Sequence, residues 1–117
     1  MSEIKLGTNS TMPVQFTFPD GLSEVDVEKI EFIFKQDKQD GSPILKSALY
    51  EPANPDANVD LRDGAFLIHW TRDETYLFSE GQSFFMDTRV WFYGSQDNPP
   101  TPIVGLKMDP SLFEKED

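Results

Sequence analysis

Cysteine is absent from all 117 residues. Disulfides, thiolate metal sites and thiol nucleophiles are therefore excluded, and stability has to come from packing alone. Histidine is nearly as scarce, with His69 the single example, so a metal centre built on several imidazoles has no material here. Basic residues are few: ten Lys and Arg stand against 21 Asp and Glu, for a formal net charge of -11. Phosphate backbones and anionic lipid surfaces are gripped through clustered Lys and Arg, so neither nucleic acid nor membrane is an expected partner. No apolar run approaches the roughly 20 residues that span a bilayer, and Met1 to Ser10 has neither the basic start nor the apolar centre of a signal peptide. The expectation is a soluble product made in the cytoplasm.

What the chain does have is aromatic and apolar surface: ten Phe, three Tyr and two Trp within a 38% hydrophobic composition. That is enough to close a core despite the charge, and the length suits a single domain. We expect one domain over residues 1–117, with 1–10 and 114–117 frayed.

Val14, Phe16 and Phe18 alternate with polar residues at the period of a half-buried strand, which Pro19-Asp20-Gly21 ends as a turn. The period returns at Ile30, Phe32 and Phe34, with Lys29, Glu31 and Lys35 on the solvent side. Asp40-Gly41 signals a hairpin-type turn leading to a strand at Ile44 to Glu51. Pro52 to Asn58 reads as a loop, Val59 to Leu61 as a short strand, Asp63-Gly64 as a turn and Ala65 to Trp70 as the next strand. Thr71 followed by Glu74 is a capping box, predicting about one helical turn that ends before Gly81. Ser83 to Tyr93 is the longest alternation, and after the loop Gly94 to Pro102 a last strand runs through Val104, Leu106 and Met108 to Pro110. About seven short strands and one helical turn predict an immunoglobulin-like antiparallel β-sandwich; a closed antiparallel barrel is the alternative.

No motif carries catalysis. There is no Gly-rich phosphate loop, no Gly-x-Ser-x-Gly and no His-Glu-x-x-His. A catalytic reading of His69 would need a nucleophile or carboxylate brought to it by the fold, which nothing in its strand pattern suggests, and it is expected to be an exposed or edge-facing strand residue. Asp56 to Asp60 invites comparison with a calcium loop, but Leu61 and Leu67 stand where the sharp-turn Gly and the closing Glu belong, leaving at most a looser site of Asp56, Asp60 and Asp63. No catalytic residue, metal or cofactor is expected. The informative feature is the long strand. If Phe84, Met86, Val90 and Phe92 point inward, Phe85, Asp87, Arg89, Trp91 and Tyr93 point outward, an aromatic row with a charge pair of the kind found at the centre of protein interfaces. The competing reading has neighbouring loops, or Leu112 and Phe113, covering those rings within the monomer.

The order of the segments resembles small β-sandwich proteins of tailed phages and prophages, similar to the N-terminal domain of phage baseplate upper proteins. The resemblance rests on Val14 to Phe18, Ile30 to Phe34, Gly64 to Thr71 ending in Trp-Thr, the acidic turn Asp73-Glu74-Thr75, Phe78 with Gly81, Thr88-Arg89-Val90, and Pro102 to Met108 closing on Leu112. It implies a non-enzymatic virion or assembly component, made in the host cytoplasm, that contacts itself or neighbouring virion proteins. The alternative function is a carbohydrate-binding module in which Trp91, Tyr93 and Trp70 stack on sugar rings. A small hydrolase built on paired carboxylates is the third reading.

Overall fold

The computed structural model describes residues 4–5, 8–18, 21–39, 41–79, 82–94 and 103–109. In chain order the elements are β1 (Ile4–Lys5), β2 (Ser10–Val14), a 3-10 turn (Glu24–Asp26), β3 (Val27–Lys35), β4 (Lys46–Tyr50), β5 (Asp60–Arg62), β6 (Ala65–Trp70), α1 (Arg72–Thr75), β7 (Ser83–Phe92) and β8 (Val104–Asp109). They form a five-stranded sheet in the order β1-β8-β7-β3-β4 and a three-stranded sheet in the order β2-β6-β5. Every pairing is antiparallel except β1 with β8.

This is the immunoglobulin-like sandwich, open and not closed into a barrel. β2, β6 and β5 take the B, E and D places of one sheet, and β3, β7 and β8 take the C, F and G places of the other. β4 lies beside β3, as the extra strand of variable-type domains does. The core between the sheets comes from alternate positions: Ile30, Phe32 and Phe34 on β3, Phe84, Met86, Val90 and Phe92 on β7, and Phe66, Ile68 and Trp70 on β6. With no disulfide to join the sheets, aromatic contacts join them. Phe34 and Trp70 meet edge to face across the interior at 5.0 Å, and Tyr50 and Phe66 do so at 4.8 Å. Such pairs contribute about 1 kcal/mol each beyond the area they bury.

Lys46 adds a polar fastening. It sits on the core side of β4, its side chain only 3% exposed, and its Nζ donates to Glu74 Oε2 at 2.8 Å and to the His69 carbonyl at 2.9 Å. Glu74 is also the third residue of the α1 capping box: its Oε1 accepts from the Thr71 N–H, and its own N–H donates to Thr71 Oγ1. One carboxylate thus closes the helical turn and ties β4 of one sheet to β6 and α1 beside the other. At the β5–β6 hairpin, Asp63 (φ 53°) and Gly64 (φ 79°) both take the left-handed backbone that a two-residue turn of this twist requires.

Two expectations shift. The strand in this region is Ser10–Val14 and not Val14 to Phe18. Phe16 and Phe18 leave the ladder, their rings 5.6 Å from Phe66 and 6.1 Å from Phe92, so their alternation reflects burial between the sheets and not pairing. Residues 1–10 are not uniformly frayed either, because Ile4–Lys5 pairs with Met108 and Asp109 of β8 and Ser10 opens β2. Asp40, Gly81, Pro110, Leu112 and Phe113, and the tail 114–117, lie outside the described residues.

Candidate interaction face

On the outer side of the five-stranded sheet, the β3–β7 register sets four cross-strand pairs side by side: Lys29 with Trp91, Glu31 with Arg89, Ile33 with Asp87, and Lys35 with Phe85. Four of the five residues expected to face outward on β7 therefore share one surface, and β3 supplies the other half of it. Trp91 and Phe85 are half-buried while Asp87 and Arg89 are exposed. Lys29 Nζ stands 4.3 Å from the Trp91 ring centre and 3.7 Å from Glu31 Oε1, and Lys38 Nζ stands 5.3 Å from the Phe85 ring. Phe85 lies beside Gly105 of β8, its strand partner. Arg89 makes no ion pair among the described residues. Ile44 and Ile103, both exposed, border the hollows around the Ile33–Asp87 pair.

Tyr93 stands apart from this row. β7 ends at Phe92, and Tyr93, 56% exposed, occupies the turn beyond it, with its N–H donating to the Asp26 carbonyl. Burial first, and then the nearby Tyr93 hydroxyl, push the Tyr50 pKa above its usual value. Tyr50 is on the core side of β4, so Tyr93 is near the end of the sandwich, where the alternation that places Trp91 no longer governs. Trp70 is corrected outright as a sugar-stacking residue: it is 2% exposed and enclosed by Phe34, Phe78 and Phe84.

On the opposite sheet the fold does what the local sequence around His69 did not suggest. His69 Nδ1 lies 3.2 Å from Thr11 Oγ1 on β2, and His69 Nε2 lies 3.1 Å from Asp60 Oδ2 on β5. Hydroxyl, imidazole and carboxylate thus form a row across three strands. The imidazole is 52% exposed and the carboxylate 69% exposed. The row lies on the outward, solvated side of the sheet, without the water-excluding enclosure that gives such a constellation its power. Among the described residues, which include Asp56, Asp60 and Asp63, no three His, Cys, Asp or Glu side chains converge to hold a metal ion.

A groove of about 530 Å³ lies over β3, β4 and the loop after β4, lined by Glu31, Glu51, Asn54, Asp56 and Asn58 among others. Its amides are already engaged. Asn58 Oδ1 accepts from the Leu49 N–H and the Asn58 N–H donates to the Leu49 carbonyl, which caps the free edge of β4. Asn54 donates from Nδ2 to Glu51 Oε1 and accepts at Oδ1 from the Asp56 N–H. At the edge of the other sheet, β2 carries Pro13, which has no N–H to offer a strand from another chain.

No family model matches the chain, and no curated protein matches it. Among solved structures it is similar to the extracellular domain of the voltage-gated sodium channel β4 subunit, whose parallel homodimers explain a role in cell–cell adhesion, with 14% identity over 95% of this chain and 91% of that one and a TM-score of 0.42. A likeness at this level bears on neither function nor partner. Among the described residues no helix is long and apolar enough to cross a membrane.

Proposed function

We propose that this protein is a non-enzymatic module that makes protein–protein contacts through the outer face of its five-stranded sheet. The supporting observation is the surface formed by Phe85, Asp87, Arg89 and Trp91 with Lys29, Glu31, Ile33 and Lys35. Aromatic rings and arginine flanked by charge, with exposed Ile44 and Ile103 at the border, are the composition of contact centres. Two of the four sheet edges, β2 and β4, are blunted, and the other two, β1 and β5, are two and three residues long, which favours docking by a face over strand addition. The sequence resemblance supplies the setting we propose, an assembly or structural component of a phage particle.

A photo-crosslinking residue at Arg89, compared with one at Thr11 on the outer side of the other sheet, tests this in the cells that make the protein. Adducts with polypeptide from position 89 and none from position 11 are expected. Equal yields from both positions, or none from position 89, would refute it.

A further inference from the structure

We infer that the partner on this face is a second copy of the same chain, related by a two-fold axis that runs along the strands between β3 and β7. This rests on the reading of the face as a contact surface and adds who occupies it and in what register.

The argument is one of charge and ring complementarity. A two-fold axis parallel to the strands lays β7 of one copy over β3 of the other and keeps each residue level with its own cross-strand partner. The rung Lys29–Trp91 then meets itself reversed, cation over ring and ring over cation. The rung Glu31–Arg89 does the same, giving each arginine a carboxylate of the other copy. Lys35–Phe85 repeats the first pattern, and Ile33–Asp87 lies between them. An axis across the strands, between the Arg89 and Asp87 rungs, would also pair Arg89 with Asp87 and Trp91 with Phe85, but it sets Lys29 against Lys35, like charge on like, at both ends of the patch and Glu31 against Ile33, leaving that carboxylate without a cation. A contact surface that carries its complement on the neighbouring strand is what an isologous interface requires.

Charge balance is compatible with this. In a chain of net charge -11, the β3–β7 strip carries Lys29, Lys35, Lys38 and Arg89 against Glu31, Asp37 and Asp87, and with Glu51 and Asp56 at the β4 side of the patch it stays close to neutral, so another copy can approach it without strong repulsion. β3 and β7, nine and ten residues long, extend about 30 Å, and their neighbours β4 and β8, five and six residues long, about 16 to 20 Å. At about 4.8 Å per strand the four cover on the order of 500 Å² in projection, against the roughly 800 Å² of accessible surface per partner in a stable interface.

The test uses sedimentation velocity at about 0.15 M salt, where repulsion between distant charges is screened. Wild type is expected to dimerise. Arg89→Glu alone and Glu31→Arg alone each place like charges in both central contacts and should weaken the dimer at least about tenfold. Mixing the two variants in equal amounts should restore it, because in the mixed dimer both contacts are again of opposite sign. Thermal melting confirms that each variant is folded before mixing. A wild type monomeric at about 1 mM overturns the inference. A dimer that Trp91→Ala weakens and the mixture fails to rescue overturns the register alone and leaves the face. A dimer indifferent to Arg89→Glu, Glu31→Arg and Trp91→Ala overturns both.

Discussion

Lys46 Nζ lies 2.8 Å from Glu74 Oε2, joining a buried ammonium on β4 to the carboxylate that caps α1. Because the lysine side chain is 3% exposed, removing its partner would strand a charge out of water, and removing the lysine would leave the carboxylate and the His69 carbonyl short of a donor. Lys46→Ala should lower stability by about 2 kcal/mol, less than the roughly 3–5 kcal/mol of a fully buried pair because Glu74 keeps some solvent. The midpoint of urea unfolding measures it.

The same pair makes stability depend on acid. Burial by itself would raise the Glu74 pKa. The hydrogen bonds from Lys46 and Thr71 and the Lys46 charge outweigh it and hold the carboxyl below its ordinary value of 4.5. A carboxyl whose pKa is depressed on folding contributes stability that is fully present above its unfolded value and is lost as pH falls through the folded one. Stability should therefore drop as pH falls below about 4.5, and Glu74→Gln should flatten that part of the curve while lowering the plateau above it.

Trp70 separates the core from the face. Its indole is packed against Phe34, Phe78 and Phe84, so Trp70→Ala should cost about 3–5 kcal/mol and register as a large fall in the unfolding midpoint. Any loss of binding in that variant should track the unfolded fraction and nothing else.

The Thr11–His69–Asp60 row should prove inert. His69→Gln is expected to change stability by no more than about 0.5 kcal/mol, as exposed substitutions generally do. Hydrolysis of p-nitrophenyl acetate by the wild type should be no faster than by the variant.

Where side-chain alternation coincides with pairing, as in Ser83 to Phe92, the sequence discloses both the strand and its outward residues, because a ladder forces period two. Phe16 and Phe18 show the limit: burial between two sheets produces the same period without a ladder. Asp63-Gly64 and the Thr71–Glu74 box are legible because they are local chemistry. What lay beyond reach depends on contacts distant in sequence. Lys46 looks like a surface residue until Glu74, 28 positions away, is placed beside it. Thr11 and His69, 58 positions apart, are neighbours only through the β2–β6 register. The outward residues of β3 were recognisable as a solvent face, but their alignment rung by rung with Trp91, Arg89 and Phe85 is a property of the paired sheet.

Trp91→Ala, followed by thermal melting and sedimentation velocity on the same samples, tests the contact face most directly. The ring is half-buried on the outer side of the sheet and lies outside the core. The melting temperature should fall by no more than about 5 °C, the equivalent of roughly 1 kcal/mol in a domain of this size, while association weakens at least about tenfold. Association equal to that of the wild type, in a variant that is still folded, would contradict the account.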